Sequence, residues 1–224
     1  TAKTFVYRIH DNPVQERLEM LVTIAGQLDY KVELGPRRIV TDSLNKLLAD
    51  IKGKGEENML STMAIRCMAK AEYSTDNIGH FGLGFEYYTH FTSPIRRYPD
   101  VMVHRLLQRY LDGGQSAYKK DYDELCLHSS DMEKNATMAE RASTKYMQAK
   151  YLQGHIGEEF EGLVSGVTEW GIFVEIKENK CEGMIRLQNL PDDFYNYDED
   201  TMSVVGSTTG NSYTLGDAVM VKVV

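Results

Sequence analysis

Apolar positions recur every three or four residues over the first two thirds of the chain, and every second residue beyond Gly154. That change of period predicts helices followed by strands. Thr4 to His10 alternates and reads as a strand. Asp11 and Asn12 then offer caps, Pro13 fits a first turn, and Val14, Leu18, Leu21, Val22 and Ala25 predict a helix to about Leu28. Leu44, Leu47, Leu48 and Ile51 predict a second helix over 43–51, stopped by Gly53 and Gly55. Met59, Met63, Cys67 and Met68 predict a third over 56–70. The glycine- and aromatic-rich stretch 74–91 reads as strand and loop. Helix resumes at Pro94 or Pro99 and ends at Gly113 and Gly114; a short helix over 120–127 and a long one over 130–152 follow.

Beyond Gly154, EFEGLVSGV, GIFVEI, EGMIRL and DAVMVKVV are short β-rich runs separated by turn residues, a spacing that suits a small Greek-key barrel. An OB barrel needs five strands and four are evident, so its last strand is expected to be lacking and an edge left unpaired. The expected fold class is α+β, with a mostly helical domain over 1–153 and a small antiparallel β-barrel over 154–224.

Net charge is −8, but its distribution matters more than its sum. From Gly154 onward there are 13 acidic and 4 basic residues, net −9, which leaves +1 before it. The cations gather in the first part, notably Arg96, Arg97, Arg105 and Arg109. The tail therefore cannot hold a polyanion by bulk electrostatics and would have to use stacking and local hydrogen bonds. Cys67, Cys126 and Cys181 are odd in number and form no CxxC, which argues against a disulfide framework, a disulfide-linked partner or a zinc site. That usage fits a reducing cytoplasm, and Cys67 reads as a buried apolar residue. No apolar run reaches bilayer length, so no membrane partner is expected. The chain begins at Thr1 without a leader and reads as part of a longer polypeptide.

The densest chemistry is His90 to Asp100, HFTSPIRRYPD. Thr92 and Ser93 supply hydroxyls, Ser93 suits a helix cap, and Pro94 suits a first helical position. A helix start of that kind aims free N–H groups and a positive dipole end at one point, where a phosphate binds well. Arg96, one turn in, adds a planar fork for phosphate oxygens. The glycine-punctuated GHFGLG before it suggests a close approach to the backbone.

The run HFGLGFEYYTHFTSPIRRYPDVMVHRLL, His80 to Leu107, resembles the signature of the ribonuclease II/ribonuclease R (RNB) family of processive 3′-to-5′ exoribonucleases. FVYRIHD, Phe5 to Asp11, resembles the segment opening the later half of that family's catalytic domain, and the tail from Phe160 resembles its S-one-type OB module. The resemblance implies hydrolysis of single-stranded RNA to nucleoside 5′-monophosphates. It assigns Arg96 to the scissile phosphate, where the guanidinium stabilises developing negative charge. It also implies magnesium, held in the family by a cluster of aspartates early in the catalytic domain.

No equivalent cluster is found in this chain, so it is expected to hold no metal and to lack nuclease activity alone. Asp192–Asp193 and Asp198 to Asp200 read as solvated loops; Asp76 and Asp100 stand alone, Asp100 as a cap or ion-pair partner within the arginine segment. Arg97 points to a neighbouring phosphate or a salt bridge, and Tyr98 to the RNA or the core. Glu140 aligns with a glutamate near the nucleotide end in ribonuclease II. His80, His90 and His104 read as phosphate-backbone support or packing. In the tail, Trp170 and Phe173, with Tyr195 and Tyr197 as further candidates, are placed to stack on bases; Lys177 and Arg186 are candidate phosphate partners. Two other readings stay open: a non-catalytic RNA-binding protein, and an OB module used for protein contacts, the latter suggested by its net −9.

Overall fold

The computed structural model describes residues 3–54, 56–199 and 201–224; Gly55, one of the expected helix stops, and Asp200, the end of the acidic run, lie outside them. The elements in chain order are β1 (Tyr7–Ile9), α1 (Gln15–Gln27), α2 (Arg37–Asp50), α3 (Glu57–Cys67), β2 (Glu72–Ser74), α4 (Tyr98–Leu111), α5 (Lys119–Leu152), β3 (Glu159–Thr168), β4 (Gly171–Ile176), β5 (Glu182–Arg186), β6 (Tyr195–Asp198), β7 (Ser203–Gly206), β8 (Ser212–Tyr213) and β9 (Ala218–Lys222). The class is α+β. Two compact units form: Thr1–Arg17 with Cys67–Ala139, and Leu18–Arg66 with Glu140–Val224.

In the first unit β1 and β2 pair antiparallel, with Arg8 opposite Tyr73. Val6, Tyr73, Met102, Val103, Leu106, Ala117 and Cys126 form its core. Met102, Val103 and Leu106 recur at helical spacing, so one face of α4 turns inward. Leu106 has no exposed surface, and burying such a side chain contributes about 1.5–3 kcal/mol. His10 is fixed on both ring nitrogens: Nδ1 accepts the Gly82 N–H at 2.9 Å and Nε2 lies 2.8 Å from the Ala69 carbonyl. His80 stacks on it at 5.0 Å.

In the second unit α1 to α3 bury one face each, through Leu18, Leu21 and Ile24, through Val40, Leu44 and Leu47, and through Leu60, Met63 and Ala64. The β part holds a four-stranded sheet in the order β5-β4-β3-β9 and a three-stranded sheet β6-β7-β8. Along β4 the period of two puts Ile172, Val174 and Ile176 inward and leaves Phe173 and Glu175 partly exposed. Val164, Val167, Ile172, Val174, Leu190, Tyr195, Val204 and Leu215 form the core. A Cβ at Gly171 would overlap the Ile185 carbonyl oxygen, so glycine lets β4 and β5 approach at the start of their pairing.

Several expectations are corrected. The second helix starts at Arg37, six residues earlier than its apolar pattern, because the Pro36 carbonyl accepts the Ile39 and Val40 amides and opens the turn. The short and long helices expected over 120–127 and 130–152 are one continuous α5. Nothing between them is glycine or proline, and Ser129 and Ser130 fold their hydroxyls back onto the Leu125 and Cys126 carbonyls at 2.7 and 3.0 Å. The first strand is shorter than 4–10, since its ladder with β2 runs from Tyr7 to Ile9. Of the acidic residues read as solvated loop, Asp198 ends β6 while Asp192, Asp193 and Glu199 lie in bends and turns; β6 with β7 and β8 makes a sheet that packs Tyr195 and Val204 into the core.

Candidate nucleic-acid interface

Ser93 to Arg97 does not begin a helix. Residues 94–96 form a turn, in which Ser93's carbonyl accepts the amides of Arg96 (3.2 Å) and Arg97 (3.0 Å), and α4 starts at Tyr98. Pro99 explains this. It has no N–H to offer the Ile95 carbonyl, and its ring would clash there, so a helix opened at Pro94 could not run through it. In the first turn of α4 the same proline is harmless. The expected cradle of free amides is therefore absent at these residues, since Ser93's N–H donates to Asp100 Oδ1 at 2.7 Å.

What remains for an anion is a side chain. Arg96 is exposed, with Nη2 3.4 Å from Ser93 Oγ. Thr92 is exposed beside it and Ser93 half-buried. Arg97 turns inward instead, its Nη2 3.0 Å from Asp100 Oδ1, and Asp100 has no exposed side-chain surface. Tyr98 is 47% exposed and does not join the core.

Beneath the turn is a charged and aromatic group that sequence reasoning did not assemble. Arg8 grips Glu133 with both guanidinium nitrogens, at 2.6 and 3.1 Å, and lies 4.6 Å over the Tyr73 ring. The Tyr73 hydroxyl meets His90 Nδ1 at 2.8 Å. Burial, then the Arg97 and Arg8 cations, lower the His90 pKa, and burial raises that of Tyr73. The pairing of β1 with β2 brings these residues together, and no local pattern announces it. His104 bonds the Phe91 carbonyl at 2.7 Å and stacks on that ring, a packing role.

In the second unit the outward face of β4 forms one wall of an open groove of about 610 Å³. Thr168, Glu169, Trp170, Phe173, Met184 and Arg186 line it. Trp170 is 70% exposed, and Phe173 lies directly across the strand pair from Met184. Arg186 is exposed and is the groove's cation. Met184 and Glu169 were missed; strand register, which brings Met184 opposite Phe173, is the signal that finds the former.

Other expected members do not join this groove. Lys177 lines a separate hollow and pairs with Glu161 at 3.2 Å. Tyr195 is buried and Tyr197 packs against the core. Glu140 is exposed on α5. Asp193 is not free carboxylate in a loop: it accepts the amides of Phe194, Thr208 and Thr209 and the Thr209 hydroxyl, which hold its pKa well below the ordinary value.

Magnesium requires several hard oxygen ligands at one point. Asp100 is engaged by Arg97 and Ser93, and Asp76 by Lys119 at 2.8 Å. Among the described residues no three metal-ligating side chains converge. The described side chains do not fit a magnesium site.

The first unit thus carries an arginine-bearing turn, and the second presents two aromatic rings and a guanidinium in one groove. Residues 1–113 match the model of the RNB domain, and residues 155–224 that of the S1 RNA binding domain. The chain belongs to the RNB family. Ribonuclease R of Aquifex aeolicus is 43% identical over 220 residues, 97% of this chain but 31% of that protein. The apo form of Mycoplasma genitalium RNase R superposes with a TM-score of 0.86 at 29% identity, over 98% of this chain and 35% of that one. The same enzyme in complex with ribose-methylated single-stranded RNA gives 0.84 at 30% identity, with the same coverage. The chain thus spans about a third of the length of these relatives. Among the described residues no helix is long and apolar enough to cross a membrane.

Proposed function

We propose that this chain supplies the RNA-gripping part of a 3′-to-5′ exoribonuclease acting on single-stranded RNA. The observation that carries the reading is the open groove where Trp170 and Phe173 sit beside Arg186. Flat rings there stack on any base, and one guanidinium meets the backbone. The exposed guanidinium of Arg96 supports the same reading at the phosphate to be cleaved. In that reaction water attacks phosphorus, the bond to the preceding nucleotide's 3′ oxygen breaks, and a nucleoside 5′-monophosphate leaves. Arg96 stabilises the charge that develops on the phosphoryl oxygens. Magnesium belongs to this reading only with the aspartate cluster that the family resemblance implies, which is not found among the described residues, so the chain alone binds RNA without cleaving it. A cytoplasmic setting, in keeping with three free, buried cysteines, belongs to it too.

The test is fluorescence anisotropy with a labelled oligoadenylate, for the chain and for its Trp170→Ala, Phe173→Ala and Arg96→Ala variants. Weakened binding in all three supports the reading; unchanged binding in all three overturns it and leaves the acidic module as a protein-contact surface. A second reading, an RNA-binding protein with no catalytic partner, is favoured by the carboxylates that, among the described residues, fail to converge. It predicts no nucleotide release even after a metal-binding RNB segment from a relative is fused ahead of Thr1.

A further inference from the structure

Among the described residues of the first unit, Asp100 is the one acidic side chain with no exposed surface, and it sits in the first turn of α4. A buried carboxylate is costly unless its partners are well placed. Here one oxygen accepts two bonds, from the Ser93 amide at 2.7 Å and from Arg97 Nη2 at 3.0 Å. The first bond ties the start of the turn to α4. Ser93 in turn holds Arg96 twice, through its carbonyl to the Arg96 amide at 3.2 Å and through Oγ to Nη2 at 3.4 Å. The second bond draws Arg97 away from solvent, so the two adjacent guanidinium groups part: one inward, one outward. Asp100 Oδ2 and Arg97 Nε are buried without a hydrogen-bond partner. Stability alone does not favour such a pair, but a fixed turn does account for it.

We propose that Asp100 is a positioning residue that aims Arg96 at the RNA phosphate by anchoring Ser93. The proposal rests on the reading of Arg96 as a phosphate contact. Without the Asp100 carboxylate, the turn from Ser93 to Arg97 loses its tie to α4, Arg97 loses its inward partner, and Arg96 samples orientations in which no phosphate is met.

The experiment measures oligoadenylate affinity of the full chain against salt concentration. Each phosphate contact on a single strand contributes a slope of about −0.7 in log K against log salt. Arg96→Ala is expected to flatten the slope by about 0.7 and to weaken binding about tenfold at low salt, the scale of a charge-assisted hydrogen bond. Asp100→Ala, which removes the oxygen that accepts the Ser93 amide, is expected to flatten it by the same amount, and to add nothing further in the Arg96→Ala background. A merely structural role would lower the melting temperature and leave the slope of the folded fraction unchanged, which overturns the proposal. Equal and additive losses in the double variant overturn it as well. If Arg96→Ala itself leaves slope and affinity intact, the underlying reading of Arg96 has failed instead. Should Asp100→Ala not melt cooperatively, Ser93→Ala tests the next link of the same chain, the Oγ that accepts from Arg96 Nη2, and leaves the Ser93 amide on Asp100: a flatter slope supports positioning, and a full slope overturns it.

Discussion

Replacing Trp170 with alanine removes the most exposed ring of the groove while touching little of the core, since 70% of that residue faces solvent. A stacked base is worth about 1–3 kcal/mol, so the dissociation constant should rise about 5- to 140-fold. Phe173 is half-buried and packs close to Gly166, so Phe173→Ala carries a stability cost as well and needs a circular dichroism control. If both rings hold one base between them, the double variant loses less than the two single losses combined. Electrostatics gives an independent check. Lys177 and Lys180 are paired with Glu161 and Glu175, which leaves Arg186 as the groove's cation. One phosphate contact implies a slope near −0.7 from this module, about a 2.5-fold loss from 50 to 200 mM salt. Trp170→Ala should leave that slope intact and Arg186→Ala should abolish it. Anisotropy with a labelled oligoadenylate, titrated at four salt concentrations, reads both quantities. Full affinity in a folded Trp170→Ala variant would refute the stacking argument, whatever Arg186 does.

Cys67, Cys126 and Cys181 are buried and burial raises their pKa, that of Cys126 to about 12 with help from Asp123. An Ellman titration of the native chain should therefore find no fast-reacting thiol, and all three only in denaturant; rapid native labelling would contradict that burial. His90 has a pKa below its ordinary 6.5 because it is buried beside Arg97 and Arg8. The unfolded chain takes up that proton first, so this contribution is complete above pH 6.5 and is lost as pH falls through the folded value. His90→Gln should flatten the corresponding fall in melting temperature, and an unaltered pH profile would count against it. Gly171→Ala should cost about 1–3 kcal/mol by driving a methyl group into the Ile185 carbonyl; a melting point equal to wild type would show that β4 and β5 separate freely.

Periodicity decided much of this protein. The period of 3.6 in 14–25 and the period of two in 171–176 each need only neighbouring residues to bury one face, and α1 and β4 lie where those patterns put them. The SPIRR run and the Trp170–Phe173 pair were likewise legible, because their chemistry is local. The sheet from β6 to β8 was not: its strands are two to four residues long, too short for a pattern, and form only because Tyr195 and Val204 find a shared core. Local signals left the start of α4 open between Pro94 and Pro99, since Ser93 and Pro94 look like a cap and first turn until Pro99 vetoes the helix. The sequence set Arg96 at a phosphate through the family resemblance and left Arg97 between a neighbouring phosphate and a salt bridge. Arg96 and Arg97 are adjacent and chemically identical, and a buried carboxylate three residues further on takes one and leaves the other. That choice depends on the burial of Asp100, a property conferred by the packed unit around it and by no pattern in the chain.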